Sequence, residues 1–185
     1  MAESCCKPMK PSEHPELFRV PPPAGRSRES TIVLDRHGHF YHDGRRVEHR
    51  GIAGGLARWL SRHPEDGRYI LQNGYDWCYL TVEDTPFFIV SLRPDKSGAE
   101  VTLSDGTTEP LDPRSVTVGE DGVLRAMVKE GRFAARFTQP AQLRIAPLLV
   151  TDSPPTIRLG GQDYVLKETT SPSPEAEPDL GAPGH

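Results

Sequence analysis

The chain has 185 residues, a formal net charge of −4 and 35% hydrophobic residues, with 19 Pro and 17 Gly. That length supports one core, or two small halves sharing one, and the acidic balance gives no global attraction to nucleic acid or to an anionic membrane. No apolar run approaches the ~20 residues of a transmembrane helix, and residues 1–10 lack the apolar stretch of a secretion signal.

Residues 1–29 are rich in Pro, Ser and charge, and read as a disordered arm. Leu17, Phe18 and Val20 are the residues there with something to dock. The tail 169–185 has the same character. Neither end buries enough apolar surface to offset the ~1–2 kcal/mol per residue of backbone ordering. The three cysteines make no disulfide framework. Cys5 and Cys6 lie in the arm and Cys78 reads as a small buried hydrophobe in a strand, which fits a reduced, cytoplasmic setting.

Order begins at residues 31–34. Asp35-Arg36-His37-Gly38 is a turn, and residues 39–42 run into a hairpin at Asp43-Gly44 that sets Tyr41 opposite Arg46 and Phe40 opposite Val47. A helix is expected over residues 50–62, because Ile52, Leu56 and Leu60 recur at i, i+4 and i+8 with Ala53 and Trp59 beside them. Pro64 and Asp66-Gly67 close it. A strand at 68–71 then pairs across an Asn73-Gly74 type I′ turn with residues 76–79, placing Ile70 opposite Trp77 and Leu71 opposite Asp76. This aromatic run continues to Glu83-Asp84-Thr85-Pro86, where Pro86 removes a ladder donor. A second apolar run, 87–92, follows at once.

The polar stretch 93–100 marks the junction between an N-terminal half, 30–94, and a C-terminal half, 95–168. The second half opens with a hairpin at Asp105-Gly106. A meander follows over 116–137, pairing Lys129 with Arg132, Val128 with Phe133, Met127 with Ala134 and Arg125 with Arg136. Pro140 suits the first turn of a short helix that Pro147 ends early, and 156–166 is a hairpin about Gly160-Gly161 with Ile157 opposite Tyr164. Hairpin, helix, hairpin therefore occurs twice, over 31–82 and 116–166. The expected architecture is α+β: two similar small subdomains of antiparallel hairpins with one helix each, a cleft at their junction, and disordered Pro-rich tails.

The stretch LDRHGHFYHDGRRVEHRGIA, followed by a helix, DGRYIL and VEDTPFF, resembles the bacterial family known as domain of unknown function 1285. The later GVLRAMVKEGRFAARFTQPAQL and GGQDYVL resemble its C-terminal half. The likeness spans about 31–166, and its most specific pieces are Val82-Glu83-Asp84 with Pro86-Phe87, and His42-Asp43-Gly44. It implies a two-subdomain α/β fold with repeated motifs, a cytoplasmic location, no established activity, and ligand binding in signalling. Three positions depart from the family pattern. Thr85 stands where Ala is usual, NGYDW replaces a Thr-Pro-rich link, and Pro147 interrupts the second helix; the first two touch the candidate site.

The candidate ligand-binding residues are Tyr41, His42, Trp77, Tyr79, Glu83 and Asp84. Paired carboxylates at a strand end suit cation or ligand binding, or acid–base work where burial separates their pKa values; the plainer duty for Asp84 is to cap the turn through backbone N–H groups. Trp77 and Tyr79 share a strand face that either packs or lines a pocket. On the meander, Arg125, Lys129, Arg132 and Arg136 oppose the apolar face of Leu124, Ala126, Val128, Phe133, Ala135 and Phe137. Such cations form a solvated outer face, or a patch for an anion or acidic partner. No spacing suggests a metal site, a cofactor or a nucleophile constellation. The expected function is a ligand-binding or regulatory module for a small molecule or peptide. The rivals are a hydrolase or metal-assisted enzyme built on Glu83, Asp84 and His42, and an interaction module acting through the basic meander face.

Overall fold

The computed structural model describes residues 16–22 and 24–169. A helical turn, α1 (Glu16–Arg19), precedes the first strands, β1 (Glu29–Leu34), β2 (Phe40–His42) and β3 (Arg45–Arg46). Asp43 and Gly44 both take positive φ, as a two-residue type I′ turn requires, and Tyr41 stands opposite Arg46. Helix α2 (Arg50–Trp59) follows, its first turn capped by the His49 ring, which accepts from the Ile52 N–H. Leu56 and Ala57 turn inward, whereas Ile52 is exposed.

The helix ends three residues before the expected boundary. At Leu60 the backbone becomes extended, and residues 60–62 form β4 (Leu60–Arg62), which pairs with β5 (Tyr69–Gln72) through Leu60–Leu71 and Ser61–Ile70. A helical period read through Leu60 cannot register that the same leucine also fits a strand paired further along. Strand β6 (Trp77–Val82) completes a sheet ordered β3-β2-β1-β6-β5-β4, in which β1 and β6 run parallel.

The β5–β6 hairpin is two residues out of the expected register. Ile70 faces Tyr79 and Gln72 faces Trp77. The cause is the Asn73 side chain. Its Oδ1 accepts from the N–H groups of Tyr75 and Asp76, at 3.0 and 2.9 Å, so the turn spans four residues with only Gly74 at positive φ. A shift of two preserves which side chains share a face, so Trp77 and Tyr79 remain together with Ile70.

β7 (Phe87–Pro94) leaves this sheet altogether. With β8 (Ala99–Leu103), β9 (Thr108–Pro110), β10 (Thr117–Gly119), β11 (Leu124–Val128) and β12 (Phe133–Phe137), it builds a second sheet. β7 runs parallel to β12, with Phe87 opposite Ala135 and Ile89 opposite Phe137. The chain therefore crosses between sheets at residues 83–86, ahead of the boundary at 94/95 read from polarity. The meander keeps its expected register. Helix α3 (Gln139–Ile145) stops before Pro147, which sits in a short 3-10 turn. β13 (Leu149–Asp152), β14 (Pro155–Leu159) and β15 (Gln162–Val165) form a third sheet, and β16 (Lys167–Thr169) pairs parallel with β10. Ile157 stands opposite Tyr164 as expected. The protein is thus mixed α and β, mostly β, in three sheets.

One hydrophobic core runs through both halves, from Leu34 and Phe40 through Ile89 and Val101 to Ile145, Ile157 and Leu166. Phe18, Ile70 and Trp77 form a separate, smaller cluster. Part of the arm expected to be disordered is therefore docked, because Phe18 finds an aromatic site on β5 and β6; residues 1–15 and the tail from 170 lie outside the described residues.

The order of connections recurs. In the first half the strands lie third, second, first, sixth, fifth, fourth, with the first and sixth parallel. With β15 and β16 taken as one strand broken at Leu166, the second half reads β12-β11-β10-β16 continuing into β15-β14-β13, again with first and last parallel. The first turns match in detail. Asp35 N donates to His39 O and Gly38 N to Asp35 O; Gly119 N donates to Val123 O and Gly122 N to Gly119 O.

Candidate functional site: the cleft between the halves

The β1–β2 turn is held by Asp35. Its Oδ1 accepts from the His37 and His39 N–H groups at 2.8 Å each, and Oδ2 lies 3.2 Å from His39 Nδ1. Burial alone raises this carboxyl, but the backbone bonds from His39 and His37 and the His39 ring hold it below its ordinary value. The turn projects Arg36 and His37 toward the second half. There they meet Val123, Arg136, Phe137, Thr138, Gln139 and Gln142 across a cleft of ≈320 Å³, with Phe88 in its lining. Phe88 and Phe137 are buried. Thr138 donates its hydroxyl to Ile89 O, tying the end of β12 to β7. Gln142 Oε1 accepts from Leu124 N at 3.3 Å, which leaves its NH₂ as donor. The lining, among the described residues, contains no Asp or Glu.

Behind the cleft the Glu83-Asp84 corner splits. Asp84 reaches into the second half, where Arg136 Nη1 donates to its Oδ2 at 2.6 Å and Arg125 Nη2 at 3.1 Å. Asp121 joins from the β10–β11 turn, accepting from Arg125 Nη1 at 3.1 Å and Arg136 Nη1 at 2.9 Å. The Arg125 hydrogen bonds are the main cause that takes the Asp121 carboxyl down to about 2, against the cost of burial. A Cβ at Gly119 would collide with the Arg125 guanidinium, so glycine there admits the quartet. Asp84 is therefore not the turn cap that its position suggested. Glu83 faces the other way: its Oε2 accepts from the Arg36 N–H at 3.2 Å and lies 3.9 Å from Arg36 Nε. It shares a shallow hollow with Val33, Asp35, Arg36, His37, Tyr41 and Gly44.

The other expected site residues scatter. His42 is exposed, with Asp43 as its carboxylate neighbour at 3.8 Å. Trp77 is buried under α1, and Tyr79 donates its hydroxyl to Asp66 at 2.6 Å with the Arg68 guanidinium 3.7 Å over its ring. The basic meander face is not an open patch. Arg125 and Arg136 are taken by Asp84 and Asp121, Lys129 by Asp105 and Thr107, and Arg132 donates to the Lys129 carbonyl. Alternation along the strands could not show these carboxylates, which arrive from turns outside the two strands, Asp121 from 4 residues before Arg125 and Asp84 from 52 residues before Arg136. Cys78 is a half-buried free thiol that burial pushes up, away from nucleophile behaviour. No group of three or more His, Cys, Asp or Glu among the described residues is placed to hold a metal ion.

Two crystal structures resemble this chain in fold. One is a DUF1285 family protein from Silicibacter pomeroyi DSS-3, with a TM-score of 0.59 at 16% identity over 75% of this chain and 80% of that one. The other is a DUF1285 family protein from Shewanella baltica OS155, with a TM-score of 0.53 at 19% identity over 65% of this chain and 94% of that one. The chain has a DUF1285-like fold. No family model matches the sequence, and no curated protein does, so the likeness to DUF1285 structures is one of fold. Within that fold, sequence reasoning missed Arg36, Asp121, Gln139 and Gln142. Arg36 lay inside the quoted DRHGH motif, and the turn that aims it was recognised; what was missing was the surface it faces.

Proposed function

We propose that the protein is a ligand-binding module that takes a small anionic molecule in the cleft between Arg36-His37 and residues 136–142. The observation that carries the reading is the lining: Arg36, His37, Gln139 and Gln142 supply donors over an aromatic floor with no Asp or Glu among the described lining residues, while Arg136 borders the cleft with its guanidinium held by Asp84 and Asp121. Peptide carboxylates fit the same chemistry. A regulatory role in a reducing cytoplasm, and descent of the halves from one repeated unit, belong to the same proposal; the recurring strand order and matched first turns support the repeat. A hydrolytic centre at Glu83, Asp84 and His42 is disfavoured, since Asp84 is committed to two guanidinium groups and His42 stands apart.

Native mass spectrometry of the full chain against inorganic phosphate, citrate and short dicarboxylates tests this. A 1:1 adduct is expected, weakened by about tenfold in Arg36→Gln, as loss of a charged donor predicts, with the melting temperature unchanged. Failure of every anion to bind, or equal binding by Arg36→Gln, would overturn the reading.

A further inference from the structure

We propose that the aromatic slot on the outer face of β5 and β6 is a peptide-docking site, which residues 16–20 of the chain occupy as a resident ligand. The slot is made by Ile70, Trp77 and His63, all buried, with Tyr79 beside them. The Phe18 ring enters it, edge-on to His63 at 5.4 Å and tilted against Trp77 at 5.9 Å. Trp77 Nε1 donates to the Leu17 carbonyl at 3.3 Å, and Arg28, its guanidinium 4.5 Å over the indole, donates to the Val20 carbonyl at 3.0 Å. The segment is thus gripped by one aromatic anchor and two bonds to its own backbone, the pattern by which proteins hold short peptides.

Two features make the slot independent of this particular occupant. Its walls are fixed from behind: His63 Nδ1 lies 3.4 Å from both the Glu65 N–H and Asp66, and Tyr79 bonds Asp66. Its apolar residues belong to a cluster apart from the main core, so an emptied slot leaves that core intact. A preformed slot binds at a lower ordering cost, whereas a four-residue helical turn has no stability of its own. The shape of α1 is therefore imposed by the slot. The partner this chemistry fits is a segment with an aliphatic residue followed by Phe on one helical turn, competing with the chain's own arm.

The test uses the full chain carrying Phe18→Ala and a labelled synthetic peptide of residues 13–22. The variant should bind the peptide at least about tenfold more tightly than the native chain, whose slot is filled, and the peptide with its own Phe replaced by Ala should lose that binding. A second measurement covers the case in which the variant folds poorly. Excess peptide added to the native chain should raise amide exchange over residues 16–20 of the chain itself. Equal binding by native and variant chains, or no binding together with unchanged exchange in the native chain, overturns the proposal.

Discussion

Replacing Asp84 by alanine removes the carboxylate that joins the two halves at the crossover. Its side chain is 20% exposed, and those of Arg125 and Arg136 are 15% and 18% exposed. Breaking a fully buried pair costs ~3–5 kcal/mol, and an exposed pair is worth ~0–1 kcal/mol. Here Asp121 still neutralises part of the stranded charge, which places the expected cost at about 2 kcal/mol. With a urea slope of ~2 kcal/mol/M the midpoint falls by about 1 M at unchanged slope. A double-mutant cycle with Arg136→Ala should return a coupling of about 1–2 kcal/mol. Glu83→Ala is the contrast. That carboxylate is 42% exposed with Arg36 Nε at 3.9 Å, so the loss should stay under about 0.5 kcal/mol. A cost below about 0.5 kcal/mol for Asp84→Ala, or an equal cost for Glu83→Ala, refutes the assignment of Asp84 as the link.

Stability should also decline in acid through Asp121. Its folded pKa of about 2 lies below the ordinary 3.8, so its contribution is complete above about pH 4 and is lost as pH falls toward 2; with the side chain 40% exposed, screening reduces this to about 1 kcal/mol. Urea midpoints at pH 5 and pH 2.5 should show the gap between native and Asp121→Asn narrowing, and a constant gap contradicts the linkage. Gly38→Ala should cost about 1–2 kcal/mol, because φ there is +84° and a Cβ would lie 3.1 Å from the Phe88 ring; an unchanged melting temperature means the turn relaxes freely. Asn73→Ala should cost about 1 kcal/mol through loss of the side-chain bonds to Tyr75 and Asp76, and an unaltered urea midpoint would show that the four-residue turn does not depend on them.

Local rules reached as far as local causes. The Asp43-Gly44 and Gly160-Gly161 turns and the meander alternation follow from residues adjacent in sequence, and those pairings stand as expected. The β5–β6 register failed because an Asn side chain replaced a backbone turn, a competition the Asn-Gly pair does not reveal. β4 exists only because it pairs with β5 across the turn that follows it, and the parallel pairings of β1 with β6 and β7 with β12 depend on partners dozens of residues away. The site divides in the same way. A charged corner at 83–84 was readable from the sequence, yet its two carboxylates serve opposite sides of the crossover. The four meander cations were readable as one face, while the acids that neutralise them were not. Leu17 and Phe18 lay in a stretch whose composition argued for disorder, and the aromatic slot that holds them is assembled from β5, β6 and the β4–β5 turn.

The central claim, a cleft between the halves that holds an anion, is tested most directly by amide and arginine side-chain chemical shifts of the full chain titrated with citrate at constant ionic strength. Saturable shifts confined to Arg36, His37, Val123 and residues 136–142 are predicted, and Arg36→Gln should weaken them together. Shifts that do not saturate, or that spread over exposed cations such as Arg93 and Arg132 as strongly as over the cleft, would contradict it.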